Sequence, residues 1–177
     1  MDAVCSSNRE RDDLRFYYYW IALILFLLDF ISKKVIEKNM EIGETIHIIG
    51  EKFFIITSIR NRGAAFSILQ EQRILFLCIT SLVAISIIWY LQINRFSGRV
   101  PLLIGLGMVL GGALGNFFDR ALYGQVIDFL QFTFGSYVFP SFNLADSGIC
   151  CGVFLILLDT IFSRQKEIGK RHVPENQ

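Results

Sequence analysis

Two aspartates, Asp128 and Asp146, each stand beside a long apolar segment of this 177-residue sequence. Asp128 follows an apolar run that ends near Phe118, and Asp146 opens the next run. Two carboxyl groups held close together do not both ionise readily, so they share one proton. The ionised group can take a proton from water while the protonated group hydrogen-bonds the carbonyl under attack. The pair therefore indicates peptide hydrolysis without a covalent intermediate.

Six further polar residues fall at the predicted depth of this aspartate pair, although they come from separate segments of the chain. Ionisable groups at a lipid boundary are costly, so their coincidence at one depth indicates one site. The six residues are Asp29, Asn61, Asn116, Asp119, Arg120 and Asn143.

Local explanations compete with a catalytic role for three of these acids. Asp146 stands three residues after Asn143, which is close to the pattern of a helix-capping box. Asp29 and Lys33 have the spacing of an i,i+4 ion pair, and Asp119 suits a local structural pair.

The composition indicates a membrane protein. Hydrophobic residues make up 53% of the chain and charged residues 19%, whereas a soluble domain carries about 25% charged residues. The net charge of +1 implies no general attraction to nucleic acid. The two histidines, His47 and His172, are far apart, and no paired CxxC or HExxH motif is present. We therefore expect neither a metal site nor a cofactor.

Four charge-poor segments predict an all-α membrane protein with four transmembrane helices in a single domain. A span needs roughly 20 residues, and the predicted spans are about 16–34, 74–94, 100–118 and 143–162, flanked by polar tails at 1–15 and 163–177. Gly107, Gly111 and Gly115 share one face of the third span and predict a seam against a neighbouring helix.

A small β-strand region outside the membrane is predicted between the first and second helices. Residues 35–60 are too polar to span, and they contain short β-branched and aromatic runs with Gly43 and Gly50 as breakers. Residues 121–142 form a second segment outside the membrane. An even number of spans puts both termini on one side. Cationic residues number nine on that side and eight on the other, so charge alone does not decide the orientation.

With these residues in place, the chain resembles the signal peptidase II family over about 18–162. The resemblance rests on the order and spacing of four blocks: Leu28-Asp29, the run from Asn61 through Gly63 to Ser67, the run from Gly111 through Asn116 and Arg120 to Phe129, and the run from Phe142 to Asp146. Arg62 and Phe117-Phe118 depart slightly from the family pattern.

The resemblance implies a bacterial inner-membrane aspartic endopeptidase with four spans, cytoplasmic termini and a site near the outer face. Members cleave prolipoproteins before the cysteine that carries a diacylglyceryl group, within membrane lipid. The catalytic aspartates match Asp128 and Asp146. Asn61, Asn116 and Arg120 would position the substrate backbone, and Asn143 would support the aspartates. The remaining motif residues are Asp29 and Gly63. Inhibition by globomycin-type compounds is expected.

Two other functions stay open at this point. A small proton- or ion-coupled transporter would use Asp29, Asp128 and Asp146 as a relay, but it predicts acids spread through the membrane depth and repeat symmetry between halves. A Ser-Lys peptidase would use Ser32 or Ser67 with Lys33 or Lys34. A lysine at a wet boundary stays protonated and is a poor base, which disfavours that reading.

Overall fold

The computed structural model describes residues 16–50, 53–63, 71–94 and 99–171, with side chains as far as residue 164. Four helices and one small antiparallel sheet make up these residues. In chain order the elements are α1 (Tyr17–Asn39), β1 (Thr45–Ile49), β2 (Phe54–Asn61), α2 (Arg73–Ile93), α3 (Val100–Tyr123), β3 (Val126–Phe134), β4 (Tyr137–Val138) and α4 (Leu144–Arg171).

Three helices in the described part of the chain are long and apolar enough to cross a membrane. They are α2, α3 and the first part of α4, residues Leu144–Arg164. Helix α1 is 23 residues long, but Asp29, Lys33 and Lys34 reduce its hydropathy. The mostly helical fold is therefore confirmed, with three membrane-capable helices. Helix α4 also continues to Arg171, through part of the segment predicted as a polar tail.

Helix α3 lies between α1 and α4 and packs closely against both. A Cβ added to Gly107 would lie 2.6 Å from the carbonyl oxygen of Tyr18, and one added to Gly111 would lie 2.5 Å from that of Ala22. Such distances leave no room for a side chain, so the predicted glycine seam is confirmed and faces α1. On the opposite side, Gly105 packs against the backbone of Gly152 on α4.

The sheet has the strand order β1-β2-β3-β4, with antiparallel neighbours throughout. The strand region is thus not confined to the segment between the first two helices, as the sequence had suggested, because β3 follows α3 and pairs with β2. The start of β3 is buried on both faces, in the run from Val126 to Phe129. Without the alternation of a half-buried strand, β3 had no clear sequence signal. It joins the two extramembrane segments into one layer.

Two clusters of buried apolar residues hold the helices and the sheet together. The larger cluster lies between the helices and includes Tyr18, Leu91 and Leu110. The smaller one joins the end of α1 to β3 through Ile36 and Phe129. The second cluster fixes the sheet over one end of the helical bundle, where the middle of β3 lies beside the residues that precede α4.

Candidate active site

A backbone bridge brings the start of α4 alongside β3. The N–H groups of Phe129 and Leu130 donate to the carbonyl of Phe142 at 3.0 and 2.8 Å, and the N–H of Phe142 donates back to Leu130 at 2.9 Å. Asn143 follows at once, and helix α4 begins at Leu144. This pairing lays the first turn of α4 against the strand that carries Asp128.

Asn143 contacts both predicted catalytic carboxyl groups. Its side-chain Nδ2 donates to Oδ1 of Asp128 at 2.7 Å, and its backbone N–H donates to Oδ2 of Asp146 at 3.2 Å. The N–H of Asp146 donates in return to Oδ1 of Asn143 at 2.9 Å. The reciprocal pair is a capping box, so the predicted cap is confirmed. Asp146 therefore caps the helix and at the same time shares a hydrogen-bonding partner, Asn143, with Asp128.

Asn61 contacts the other oxygen of Asp128. Residue Asn61 pairs with Val126 across the β2–β3 ladder, which places Asn61 diagonally across from Asp128 on the same face of the sheet. Its Nδ2 donates to Oδ2 of Asp128 at 2.9 Å, while its Oδ1 accepts the N–H of Gly63 at 2.9 Å. The turn after β2 therefore fixes the amide so that its nitrogen faces the carboxyl group.

Asn116, on α3, hydrogen-bonds the carboxyl group of Asp146. Its Nδ2 donates to Oδ1 of Asp146 at 2.8 Å, and its Oδ1 accepts a hydrogen bond from Nζ of Lys33 at 3.0 Å. Lys33 is buried and also forms ion pairs with Asp29 at 2.6 Å and with Asp119 at 2.7 Å. The predicted i,i+4 pair of Asp29 with Lys33 is thus confirmed. Asp119 does form an ion pair, but its partner is Lys33 on α1 and not a neighbour in the sequence, so the prediction of a local pair was wrong. Both acids contact the site through Lys33.

Arg120 lies at the rim of the same site, one helical turn beyond Asn116. Its Nη2 donates to the carbonyl of Gly63 at 3.1 Å, and its guanidinium carbon lies 4.7 Å from the centre of the Phe76 ring. A planar guanidinium can stack on a ring and hydrogen-bond at the same time. Arg120 therefore joins α3 to the end of β2 and to α2.

A cavity of about 480 Å³ opens over the two aspartates. Its polar lining includes Asn61, Asn116, Arg120, Asp128 and Asp146. Its apolar wall includes Val126, Phe139, Phe142 and Ile149. The mixture of one apolar wall with a few converging polar groups is typical of a ligand site.

The environment of Asp128 favours its protonated form. Its pKa is raised from 3.8 to about 6, chiefly because burial disfavours the charged carboxylate, and also because of the negative charge of Asp146. Hydrogen bonds from Asn61 and Asn143 and the positive charge of Lys33 lower this pKa in part. Asp128 is 3% exposed, whereas Asp146 is half-buried at the cavity wall. The two acids therefore occupy different environments, as acid–base chemistry requires.

Hydrogen bonds and ion pairs join all eight predicted site residues into one group. Besides Asp128 and Asp146, its members are Asp29, Asn61, Gly63, Asn116, Arg120 and Asn143. Asp29 has two contacts here: it forms an ion pair with Lys33, and its Oδ1 accepts the N–H of Ala145 at 2.9 Å. In the described ranges, no three metal-ligating side chains are placed to hold a metal ion.

Lys33 was missed by sequence reasoning as a member of the site. Its signal was the i,i+4 spacing from Asp29, which sequence reasoning assigned to a local pair only. The contact that matters, to Asn116 on α3, joins residues 83 positions apart. Such a contact depends on how α1 packs on α3, and no local pattern encodes it.

The Ser-Lys alternative is not supported by the described residues. The hydroxyl of Ser32 donates to the backbone carbonyl of Asp29 at 2.8 Å. Lys33 is paired with two carboxylates, and Lys34 pairs with Glu37 at 2.6 Å. Ser67, together with residues 64–66 of the same motif, lies outside the described residues.

Comparisons with known proteins agree on one family. The family profile described as signal peptidase (SPase) II matches residues 21–162. Lipoprotein signal peptidases of Bacillus pumilus (strain SAFR-032) and Bacillus subtilis (strain 168) are each 43% identical over 150 residues, which cover 85% of this chain and 96% of each relative.

Two solved structures, both described as bacterial membrane enzymes determined by the in meso method, have the same fold. The first, at 2.3 Å resolution, has a TM-score of 0.76 and 32% identity over 91% of this chain and 94% of its own. The second, at 1.9 Å, has a TM-score of 0.72 and 34% identity over 81% of this chain and 92% of its own. These matches do not favour a transporter. The chain belongs to the signal peptidase II family, and it is a peptidase.

Proposed function

We propose that this peptidase removes signal peptides from prolipoproteins, cleaving before the diacylglyceryl-modified cysteine, with Asp128 and Asp146 as its catalytic pair. The observation that carries the proposal is the convergence of both carboxyl groups on Asn143 at one wall of the cavity. The lipoprotein signal peptidase relatives supply the substrate class. No third group suited to nucleophilic attack is needed.

Asp146 acts first, as the base. Its half-buried carboxylate takes a proton from a water molecule in the cavity while the water oxygen attacks the carbonyl carbon of the scissile peptide. Asp128 holds a proton and donates a hydrogen bond to the carbonyl oxygen, which becomes a hydroxyl as that proton moves. Entry of an apolar substrate excludes water and further favours the protonated form of Asp128.

The tetrahedral intermediate then collapses. Asp146 gives its proton to the peptide nitrogen, the C–N bond breaks, and the new amine leaves on the lipid-modified cysteine. A hydroxyl proton of the intermediate returns to Asp128 as the carboxyl product forms. Both aspartates thereby recover their starting states, so the cycle consumes one water molecule and needs no cofactor.

Helix α1 supplies the fourth span in this proposal. Its 23 residues are enough to cross a bilayer, and its outer surface carries exposed apolar side chains that suit lipid, among them Trp20, Ile24 and Ile31. Asp29 and Lys33 carry opposite charges and form an ion pair at 2.6 Å. Both side chains are buried inside the bundle and do not face lipid. A paired charge facing a bundle interior is tolerated in a span.

Four spans put both termini on one side of the membrane. Following the family resemblance, we assign that side to the cytoplasm of the bacterium and place the aspartates near the outer face of its inner membrane. The sheet would lie at that face, where exposed aromatic side chains such as Phe53, Phe134 and Tyr137 suit the lipid interface. A cysteine placed at exposed Ile48 on β1, in a chain without other cysteines, should react with a membrane-impermeant thiol reagent in intact spheroplasts. If this cysteine reacted only after the membrane was permeabilised, the sheet would lie on the cytoplasmic side instead.

Globomycin-type inhibitors would occupy the cavity beside the aspartates. A peptide-like inhibitor could use the amides of Asn61 and Asn116 and the guanidinium of Arg120, and lay its apolar part on Phe139 and Phe142. It should therefore compete with the prolipoprotein substrate.

The test uses the purified full chain in lipid vesicles with a prolipoprotein. A precursor carrying the diacylglyceryl group should be shortened at the peptide bond before the modified cysteine, as mass spectrometry of both products would show. The matched control is the same precursor without the lipid group, which should be cleaved at least tenfold more slowly, since the acyl chains hold the substrate in the bilayer. Equal cleavage of both precursors, or cleavage at another bond, would contradict the substrate assignment.

A further inference from the structure

Besides its contact with Asn143, each predicted catalytic carboxyl group accepts a hydrogen bond from a second asparagine, whose own side-chain oxygen is held by a separate donor. For Asp128 the asparagine is Asn61, and the donor is the N–H of Gly63. For Asp146 the asparagine is Asn116, and the donor is Nζ of Lys33. An asparagine amide can present either its nitrogen or its oxygen to a neighbour, so the separate donor decides which atom faces the carboxyl group.

Lys33 is suited to enforce this choice. A lysine ammonium group has three donors and no acceptor. Of the two polar atoms of an asparagine amide, it can therefore hydrogen-bond only the oxygen. It is 2% exposed and held in place by Asp29 and Asp119, at 2.6 and 2.7 Å. The other donor to the Asn116 oxygen, Nδ2 of Asn143, is more distant at 3.3 Å.

We infer that Lys33 is a positioning residue for the peptidase reaction, which fixes the Asn116 amide so that its nitrogen donates to Asp146. This inference rests on the proposed roles of Asp128 and Asp146. With the amide fixed, Asp146 receives one N–H from Asn116 and another from the backbone of Asn143. An N–H donor stabilises a carboxylate, which is the form that takes a proton from water. Without Lys33 the amide can rotate and present its oxygen, and the carboxyl group of Asp146 then loses the N–H of Asn116.

Other charged groups also act on this pair. The groups around Asn116 and Asp146 are Asp29 and Lys33 on α1, Asp119 and Arg120 on α3, and Asp128 on β3. Replacing Lys33 alone removes one positive charge and leaves two buried carboxylates without their partner, which risks misfolding. The experiment therefore needs a second variant in which the charge around the site changes in the opposite direction.

The first variant is Lys33→Met, which keeps the length of the side chain and removes every donor. The second is Lys33→Met combined with Asp29→Asn and Asp119→Asn, which replaces a net charge of −1 by zero. The matched control is Lys34→Met, which removes the adjacent, exposed lysine. Each protein is compared with the unchanged chain in lipid vesicles for kcat, KM, thermal stability and the dependence of kcat on pH.

In both Lys33 variants kcat should fall about tenfold to a hundredfold, which is the range for losing one hydrogen bond to a charged group. KM should stay within about threefold, and Lys34→Met should match the unchanged chain. The acidic limb of the pH profile should move to higher pH in both Lys33 variants, because a carboxylate that loses an N–H donor is less stabilised relative to its acid form. In the triple variant, removal of negative charge alone would move that limb to lower pH, so the direction separates orientation of the amide from a general charge effect.

Three results would overturn the inference. The first is a folded Lys33 variant with the kcat and pH profile of the unchanged chain, and the second is a triple variant whose acidic limb moves to lower pH. The third is failure of the triple variant to fold, since that assigns Lys33 a structural role. If Asp146→Asn is inactive while Lys33→Met is fully active, the inference fails and the proposed function stands. If Asp146→Asn is itself active, the proposed function fails.

Discussion

Nδ2 of Asn61 donates a hydrogen bond to Oδ2 of Asp128 at 2.9 Å from the neighbouring strand of the sheet. This bond partly offsets the effect of burial on the aspartate, since it stabilises the carboxylate form. It also aims the carboxyl group, whose other oxygen is held by Asn143. The sheet thus positions one of the two proposed catalytic acids, while the first turn of α4 positions the other.

Replacing Asn61 by Ala should raise the pKa of Asp128 above its value of about 6, because a hydrogen bond to the charged form is lost. Cleavage should slow by about tenfold, in line with the contribution of such a bond. Infrared difference spectra of the protonated carboxyl band against pH would give the titration midpoint. An unchanged midpoint would contradict the role assigned to this contact.

The raised pKa of Asp128 predicts that folding stability falls as pH increases. Between about pH 4 and 6 the folded protein holds a proton that the unfolded chain has released, so raising the pH destabilises the folded state. At about 1.4 kcal/mol per pH unit, the effect reaches about 3 kcal/mol above pH 6. Unfolding in detergent micelles from pH 4 to 7 would measure it. The Asp128→Asn variant should lack this contribution, and equal slopes in both proteins would contradict the shift.

The glycine seam predicts that one added methyl group will separate α1 from α3. Gly111→Ala would place a Cβ 2.5 Å from the carbonyl oxygen of Ala22, which is backbone and does not yield easily. We expect a loss of about 1–3 kcal/mol of stability, typical of overpacking. The matched control is Val100→Ile, which adds one carbon at an exposed position of the same helix. Comparable melting temperatures for the two variants would exclude close packing at Gly111.

Arg120 should not tolerate replacement by Lys. A lysine side chain does not stack on Phe76 and hydrogen-bond the Gly63 carbonyl in the manner of a guanidinium. We expect kcat/KM to fall by about tenfold or more, since the end of β2 and Asn61 would shift by part of an ångström. The matched control is Arg62→Lys, at an exposed arginine next to the same turn. A kcat/KM within twofold for both variants would remove Arg120 from the site.

The helices and the acids of the site could be predicted from sequence because their signals are local. Charge-poor runs predict α2, α3 and the apolar part of α4, and glycines four residues apart predict a seam against a neighbouring helix. That this helix is α1 follows only from the structure. The aspartates are predictable as site residues because a charge beside an apolar run is costly and needs a reason. The asparagine and arginine roles came only from the family resemblance, since polar residues at a boundary have many possible uses.

The features that the sequence does not predict depend on pairing between distant segments of the chain. β3 starts with four buried residues and lacks alternation, so the sequence predicts a segment outside the membrane there but no strand. Its register against β2, which places Asn61 beside Asp128, is set by the whole sheet. Lys33 looked like a local partner of Asp29, because nothing near it in sequence indicates Asn116. The sequence predicts four spans, whereas three helices in the described part of the chain are long and apolar enough to cross a membrane. The difference lies at α1, where buried charges lower the hydropathy of a helix whose outer face is apolar.

The central claim is that Asp128 and Asp146 together carry out hydrolysis, and cleavage of a lipid-modified precursor by single variants tests it most directly. Asp128→Asn and Asp146→Asn keep the shape of each side chain, so both proteins should fold and insert as the unchanged chain does. Asp159→Asn, on α4 but paired with Arg99 away from the cavity, is the matched control. We predict that the first two variants lose at least about a thousandfold in rate under single-turnover conditions, while Asp159→Asn stays within about threefold. Cleavage at the unchanged rate by a folded Asp128→Asn or Asp146→Asn protein would contradict the account.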